Sequence, residues 1–446
     1  MLDLNKVKNF GQSMASRVAD KASEVNTKVA QRGTSTEDQY VVGLDIGTEF
    51  VKALIGKVTS EGIQIIGMGR RHQGLSDMQA GAIADIARVV ENCDKALAIA
   101  EQQAGVSART AVIGIAGELV KGMTTTVRVT RKDAEKALDL PEVERIIKLV
   151  QERAQAKAKQ QLVWELGGKD VEIRLVNSAL VGIEIDGYKV TSPVGFQGRD
   201  VVVQLYTAFA PLIHIGALER TAQQLDLDLL AVAAEPFAVA RSVIGDDTSA
   251  SMSATLMDIG GGTTDIAVIN DGGVQGTKMF GIGGRAYTRA IERELNVEFE
   301  QAEELKIGLS EGRVAQHKAA AVEGAINKTL DVWISGVEVA LGEFTKLDHL
   351  PHRVLLCGGG SSLDSLMDKL EQTNWYTSLP FTRKPVVQHI HPDDVVGIVD
   401  YTGQVNDHTF ITAMGLLRVG LDTLQFSGGS SQPTTIREKL DRVLRT

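Results

Sequence analysis

The chain has 446 residues, of which 43% are apolar and 23% are charged, as in a globular protein with two or more domains. Its net charge of −10 argues against a nucleic-acid-binding body. It contains no run of about 18 apolar residues, so no membrane span is predicted, and the N-terminus lacks the apolar core of a signal peptide. The two cysteines, Cys93 and Cys357, indicate neither a disulfide framework nor a cysteine metal site, which fits a reducing cytosol.

Residues 1–33 predict an amphipathic helix. Val7, Val18 and Val29 recur every eleven residues, close to three helical turns, so an apolar stripe runs along one side. Six basic residues outnumber three acidic ones in this segment, and a linker follows at 34–40. The pattern fits a coiled-coil or docking helix as well as a helix that lies on a membrane surface.

Residues 256–265 read LMDIGGGTTD, with apolar runs on both sides that predict short buried strands. A tight β-hairpin is one interpretation. The other is a phosphate-binding loop, because glycines let backbone N–H groups approach an anion closely and neighbouring hydroxyls add donors. Asp258 and Asp265 would then flank the anion and hold Mg²⁺, which prefers carboxylates and water.

A second loop of the same kind lies at residues 41–52, VVGLDIGTEFVK. An apolar strand again ends in Asp-Ile-Gly-Thr, and the chain continues as a strand. Two such hairpins predict two similar lobes that offer phosphate loops to a shared cleft. A third glycine cluster, at residues 354–362 (VLLCGGGSS), follows a strand and leads into a helical pattern, where a base or ribose would lie.

The segments between the hairpins predict an inserted α/β block. A helix is predicted around residues 83–100 and another at 141–158, with strands at 110–115, 171–185 and 201–209. In the second lobe the helical stretches are 286–295, 301–309 and 319–345.

Residues 376–408 are irregular and contain His389, His391, Asp393 and Asp394. These are either exposed loop residues or a metal site. At the C-terminus a flexible linker precedes a basic amphipathic helix at residues 434–446.

Over residues 40–425 the motifs resemble those of the actin and heat-shock-chaperone ATPase superfamily, and within it the FtsA family of bacterial cell division proteins. The two hairpins, VLLCGGGSSL and Ala234-Glu235-Pro236-Phe237-Ala238 carry the superfamily resemblance. The stretches that are similar to FtsA specifically are GAIADIARVVENCDKALAIAEQQAGV, IDGYKVTSPVGFQGRDVVVQLYTAFAP and FGIGGRAYTRAIERELNVEFEQAEELKIGLSEG. The N-terminal helix and residues 376–408 depart from the family pattern.

The resemblance implies an α/β, actin-like, two-lobed ATPase fold with an inserted subdomain in the first lobe. The implied domains are a first lobe at 41–79 and 208–243, the inserted FtsA-type subdomain at 80–207, a second lobe at 244–425 and a linker at 426–433.

The resemblance also implies the site residues. Glu235 would orient the attacking water, and Asp45, Asp258 and Asp265 would lie near Mg²⁺. The implied nucleotide-binding residues are Asp45, Gly47, Thr48, Lys52, Gly260, Gly261, Gly262, Thr263, Thr264, Glu303, Lys306, Gly358, Gly359 and Gly360.

By resemblance, the chain is expected to bind ATP and Mg²⁺, with slow hydrolysis or none, and to polymerise through its inserted block. Its expected place is the cytoplasmic face of the membrane at the division site, held peripherally by its terminal amphipathic helices. There it would tether the ring built by the tubulin-like FtsZ, without binding nucleic acid. Two alternatives share the cleft: a pilus-assembly adaptor resembling PilM, and a sugar kinase of the same superfamily, for which no sugar-binding signature is evident.

Overall fold

The computed structural model describes residues 39–244 and 252–427. The predicted helices at 1–33 and 434–446 lie outside the described residues, as do most of the two predicted linkers. No helix within the described ranges is both long and apolar enough to cross a membrane.

Strands and helices alternate along the chain. The strands are β1 Tyr40–Ile46, β2 Phe50–Thr59, β3 Gly62–His72, β4 Met78–Gln79, β5 Ala82–Ile83, β6 Thr110–Ile115, β7 Lys121–Thr130, β8 Ile173–Ile185, β9 Tyr188–Val190, β10 Asp200–Pro211, β11 Asp228–Ala234, β12 Ala254–Ile259, β13 Thr264–Asn270, β14 Gly273–Phe280, β15 Arg353–Cys357, β16 Val386–His389 and β17 Ile398–Asp400. The α-helices are α1 Ile86–Ala104, α2 Leu140–Glu165, α3 Leu212–Gln224, α4 Glu235–Ile244, α5 Gly284–Leu295, α6 Phe299–Ser310, α7 Gln316–Gly342, α8 Asp364–Gln372 and α9 Ile411–Ser427.

The two large sheets repeat one topology. The first has the order β11-β6-β1-β2-β3-β17, and the second contains β16-β15-β12-β13-β14. In both, an antiparallel hairpin (β1–β2 or β12–β13) pairs on one side with a third antiparallel strand and on the other with a parallel strand. This repeat confirms the two similar lobes that the paired glycine hairpins predict.

Helices cover the first sheet closely. Helix α1 begins after Asp85, whose side chain accepts the N–H of Arg88, and ends at Gly105 in the left-handed conformation (φ 70°). It packs on β2 and β3, where a Cβ on Gly69 would stand 1.8 Å from the carbonyl oxygen of Ala96. Helix and sheet therefore approach to a distance that only glycine permits.

The inserted block extends the second sheet. Strands β7, β10, β8 and β9 continue it beyond β14, and α2 packs on β7 and β10. The β14–β7 pairing is short, with Gly276 opposite Met123 and Thr277 opposite Gly122. The hydroxyl of Thr124 also donates to the carbonyl of Val274 at 2.7 Å.

Two predicted domain boundaries disagree with the strand pairing in the sheets. The insertion was predicted to begin at residue 80, but β6 pairs with β1 and β11, and α1 packs on β3, so both belong to the first lobe. The second lobe was predicted to reach residue 425, but β17 pairs with β3 and α9 packs on β1 and α4. Apolar periodicity identifies strands and helices, whereas their partners lie far away in the chain and leave no local pattern.

Candidate functional site

The β1–β2 turn, residues 47–50, forms the first glycine loop. Asp45 of β1 lies opposite Lys52 of β2, and Lys52 Nζ donates to Asp45 Oδ2 at 3.0 Å. The turn closes where the Gly47 N–H donates to the carbonyl of Phe50 at 3.1 Å. Its backbone and the Thr48 hydroxyl thus stand beside a nearly buried ion pair.

The β12–β13 turn, residues 260–263, forms the second glycine loop. Asp258 and Asp265 are opposite each other in the register of this hairpin. A Cβ on Gly261 would lie only 2.9 Å from the Cβ of Glu49 in the first glycine loop. The two loops therefore touch across the boundary between the lobes.

A cleft of about 610 Å³ opens beside this contact, within the size range of small-ligand sites. The predicted site residues that line it are Asp45, Gly47, Thr48, Lys52, Glu235, Asp258, Gly260, Gly261, Thr263, Asp265, Glu303, Lys306, Gly358, Gly359 and Gly360. The structure thus brings all three glycine loops to one cavity.

Buried carboxylates crowd the floor of the cleft. Burial raises the pKa of Glu235 well above its usual value, and the charges of Asp45 and Asp265 raise it further. Burial and the charge of Asp258 likewise raise the pKa of Asp265. Because these carboxyl groups are buried close together, it is unfavourable for all of them to be ionised at once, and a bound cation would be stabilised there.

Lys52 is the cation that faces these carboxylates. Burial lowers its pKa, but the charge of Asp45 and the hydrogen bond to it outweigh burial, so the pKa lies above its usual value. Lys52 therefore stays protonated. One lysine cannot balance the charge of Asp45, Asp258, Asp265 and Glu235 if all of them ionise.

This donor set fits a magnesium ion that is shared with a phosphate. Asp265 Oδ1 is buried and has no hydrogen-bond partner. Among the described residues, no three His, Cys, Asp or Glu side chains form a group able to hold a metal by themselves. Mg²⁺ usually binds one or two carboxylates and completes its shell with water and phosphate oxygens, so Asp45, Asp258 and Asp265 suit such a shared site.

Glu303 and Lys306 form a polar wall on the second lobe. Lys306 Nζ donates to Glu303 Oε2 at 2.7 Å, to Thr288 Oγ1 at 2.9 Å and to the carbonyl of Gly284 at 3.2 Å. These bonds tie α6 to α5 and fix both side chains at the rim of the cleft. The wall presents charged groups where hydroxyl groups of a ligand can bind.

The third glycine loop packs directly against the carboxylates. Gly358 has φ 81°, and a Cβ there would lie 2.1 Å from Asp258 Oδ1. Only glycine combines that conformation with this close approach. Gly359 begins a 3₁₀ turn, Gly359–Ser362, which places the loop backbone along the cleft.

Two predicted binding residues do not line the cleft. A Cβ on Gly262 would lie 2.7 Å from Thr48 Oγ1, so this glycine serves the contact between the glycine loops. Thr264 points into the core of the second lobe, where its hydroxyl donates to the carbonyl of Ile282 at 2.7 Å and accepts from Trp333 Nε1 at 2.8 Å. Side chains alternate along a strand, so Asp265 faces the cleft and its neighbour Thr264 faces away.

We expect Thr264→Val to destabilise the protein without changing nucleotide affinity. The substitution leaves the buried Trp333 N–H without an acceptor, which costs about 1–3 kcal/mol. Chemical denaturation and ATP titration of the same variant check this. Weaker ATP binding by a variant of normal stability would show that Thr264 belongs to the binding site.

Several cleft residues are absent from the site residues that the sequence predicts. Thr412, at the start of α9, donates to Asp258 Oδ2 at 2.5 Å. Arg70 lies over the ring of Phe50 at 3.6 Å, and His72 and Arg285 also line the cleft. Only their spatial neighbours reveal them.

The polar residues of the irregular segment serve local structure. His389 stacks on His408 with ring centroids 3.9 Å apart. The His391 ring pairs with Asp393 at 3.2 Å, and Asp394 accepts the backbone N–H of His391 at 2.9 Å, which caps a 3₁₀ turn. These contacts favour the loop interpretation over the metal site.

Comparison with known proteins identifies relatives. The family model described as "Cell division protein FtsA" matches residues 255–415, which include the second glycine loop, α5, α6 and the third glycine loop. Cell division protein FtsA of Pseudomonas aeruginosa is 25% identical over 404 residues, covering 86% of this chain and 89% of its own length. That of Neisseria meningitidis is 25% identical over 421 residues, covering 89% and 93%.

Over most of its length the chain is similar to cell division protein FtsA. A chain of the PilM–PilN type IV pilus biogenesis complex has a similar structure, with a TM-score of 0.61 at 18% identity, covering 85% of this chain and 98% of that one. At that identity the likeness concerns the fold alone. This chain has the actin-like two-lobed fold, with an α/β subdomain inserted into the sequence of its first lobe and paired with the second sheet.

Proposed function

We propose that this FtsA relative binds ATP with Mg²⁺ between its lobes, polymerises at the cytoplasmic face of the membrane at the division site, and tethers the FtsZ ring. The observation that carries nucleotide binding is the meeting of three glycine loops over buried carboxylates and Lys52. Relationship to FtsA supports a role in cell division.

In this proposal the backbone N–H groups of the first two glycine loops bind phosphate oxygens, and Lys52 supplies positive charge beside them. Asp45, Asp258 and Asp265 hold Mg²⁺, which neutralises phosphate charge when it is bound. Glu303 and Lys306 bind the ribose or base, and Gly358, Gly359 and Gly360 leave room for the adenosine.

Glu235 is the candidate that orients a water for hydrolysis. Its carboxyl lines the cleft at the first residue of α4, and only the ionised form accepts a proton from water. Burial and neighbouring carboxylates raise the pKa of Glu235, so its environment disfavours the ionised form. We propose slow hydrolysis, or binding without hydrolysis, on this ground.

The alternative is a pilus-assembly adaptor, since a chain of the PilM–PilN complex has the same fold. Sedimentation of the full chain with ATP, liposomes and FtsZ separates the two functions. We expect FtsZ to co-sediment with liposomes only when the chain is present. Binding of ATP without any recruitment of FtsZ would favour the adaptor.

Filament formation is proposed to depend on the inserted block. This block exposes Trp164 (81%) and Tyr188 (77%), and aromatic side chains are enriched in protein–protein interfaces. We expect Tyr188→Asp to abolish ATP-dependent filaments in electron micrographs while ATP affinity stays unchanged. Point variants are preferable to deleting 80–207, because that deletion would remove β6 and α1 from the first lobe.

Tyr401→Asp is the matched control for the filament experiment. Tyr401 follows β17 at the edge of the first lobe and is 66% exposed. The Tyr401→Asp substitution should leave filaments intact. Filaments of normal length from Tyr188→Asp and Trp164→Asp would refute the role of this surface.

Membrane attachment is proposed to use both termini together. The predicted C-terminal helix contains four aliphatic residues on one face, and basic residues at an anionic surface add about 1 kcal/mol each at most. We expect deletion of 433–446 to lower binding to anionic liposomes, and further deletion of 2–30 to abolish it, with a steep loss in added salt. If the double deletion binds like the intact chain, neither terminus is an anchor.

A further inference from the structure

Arg285, the second residue of α5, contacts both of the glycine loops. Its backbone N–H donates to the carbonyl of Gly261 in the second glycine loop at 2.8 Å. Its side-chain Nε donates to Glu49 Oε2 in the first glycine loop at 2.7 Å. One residue therefore joins two loops that belong to different lobes.

Both terminal nitrogens of the Arg285 guanidinium also contact the first lobe. One terminal nitrogen donates to the carbonyl of Leu75 at 3.3 Å and the other to that of Gly74 at 3.5 Å. The residue is only 8% exposed although it borders the cleft. Three of its five N–H donors are directed at oxygens of the first lobe, so the guanidinium is arranged as a brace between the lobes.

The segment that receives Arg285 is itself firmly held. Asp77 Oδ2 accepts the N–H of Gly74 at 2.6 Å and Nδ2 of Asn92, on α1, at 2.9 Å. Asn92 also donates to Gln73 Oε1 at 2.8 Å, and Gln73 Nε2 donates to the carbonyl of Gly47 at 3.3 Å. This network fixes residues 73–77 to α1 and to the first glycine loop, so the brace has a rigid anchor.

Glu49 has a second partner, His72, which also belongs to the first lobe. Its Oε1 lies 2.6 Å from His72 Nε2, while its Oε2 receives Arg285. The Arg285–Glu49 pair is mostly shielded from water, with side chains 10% and 19% exposed. A charge-assisted bond in such a setting is stronger than one at an open surface.

We propose that Arg285 is a positioning residue that holds the two glycine loops together and sets the rate at which nucleotide enters and leaves the cleft. The proposal rests on ATP binding as proposed above. Because the brace is complete without ligand, it stabilises the closed cleft in the free and the bound chain alike. Breaking it therefore opens both states and speeds association and dissociation together.

The kinetic test uses the full chain, Mg²⁺ and a fluorescent ATP analogue in stopped flow. Arg285→Gln should raise the association and dissociation rate constants at least about tenfold, because one charge-assisted bond is lost. The ratio of the two rate constants should stay near that of the unmodified chain. Arg285→Lys, which keeps only the contact to Glu49, should lie between. Arg289→Gln, an exposed arginine one turn further along α5, is the matched control and should change neither rate.

The pairing itself is tested by a double-mutant cycle. Glu49→Gln should speed both steps, and adding Arg285→Gln to it should have less than the additive effect, since both changes break the same bond. Unchanged rates in Arg285→Gln would overturn the proposal. A faster dissociation with unchanged association would also overturn it, because that is the behaviour of a residue that touches the nucleotide.

A readout without nucleotide separates this proposal from the proposed function. Amide hydrogen exchange at residues 47–50 and 260–263 should be faster in Arg285→Gln than in the unmodified chain or in Arg289→Gln. If the unmodified chain binds no ATP analogue, ATP binding fails, while the exchange result still decides whether Arg285 braces the loops. Equal protection in all variants would refute the brace. If Arg285→Gln does not fold, Arg285→Lys and Glu49→Gln carry the same test.

Discussion

Asp258→Asn is expected to weaken Mg·ATP binding and at the same time to stabilise the nucleotide-free protein at neutral pH. Burial raises the pKa of Asp258 and the charge of Asp45 raises it further, while the Thr412 hydrogen bond and Lys52 act in the opposite direction. The folded chain therefore opposes ionisation of this group. In the proposed site the Asp258 carboxylate binds a cation, and it lowers the folding stability when no cation is bound.

The direction of this change in stability follows from proton linkage. A carboxyl whose pKa is higher in the folded than in the unfolded chain keeps more protons when folded, so stability falls as pH rises through the folded pKa. Asn carries no such charge. The melting temperature of Asp258→Asn should thus exceed that of the unmodified chain at about pH 7.5, and the difference should shrink toward pH 4, near the ordinary carboxyl pKa.

For binding, the loss of one carboxylate should weaken Mg·ATP at least about tenfold, or 1.4 kcal/mol, in calorimetry. Asp348→Asn, at an exposed position, is the control and should alter neither affinity nor stability. The interpretation fails if Asp258→Asn melts below the unmodified chain at neutral pH while it binds Mg·ATP normally.

Gly261→Val is expected to abolish detectable ATP binding. A Cβ at this position would lie 2.9 Å from the Cβ and 3.2 Å from the backbone nitrogen of Glu49, and the valine methyl groups need still more room. The two glycine loops must then separate, at a cost of about 1–3 kcal/mol for overpacking. The displaced loops would also no longer present their N–H groups to one phosphate chain.

The matched control for this change is Gly324→Val on α7, where a Cβ would meet nothing within 4 Å. Its melting temperature should stay the same or rise slightly, because valine is a better helix former than glycine. A Gly261→Val variant that retains normal affinity for ATP would show that the contact between the loops is unimportant for binding.

The parts of the molecule that the sequence predicts well are local. Each glycine hairpin at 41–52 and 256–265 consists of neighbouring residues, so strand, turn and returning strand can be recognised in one short segment. The strand at 110–115 and the helix stopped by Gly105 also agree with β6 and α1. Their predicted assignment to the insertion does not agree with the structure, because it depends on the pairing of β6 with β1 and on the packing of α1 against β3.

The site contacts that the sequence does not predict join distant residues. Thr412 binds Asp258 across 154 positions, and Arg285 binds Glu49 across 236. Arg285 lies in a stretch that resembles FtsA, but the stretch does not indicate its partner, and Thr412 carries no motif. Thr264 does not line the cleft for a different reason: the motif names adjacent residues together, although alternate side chains of a strand face opposite sides.

Isothermal titration of the intact chain with ATP, in Mg²⁺ and in EDTA, tests the central claim most directly. We expect one saturable site per chain in Mg²⁺, a much weaker one in EDTA, and loss of the site in Asp258→Asn and Gly261→Val. Absence of binding heat and of any ATP-induced rise in melting temperature, with Mg²⁺ present, would contradict the nucleotide cleft and the function proposed from it.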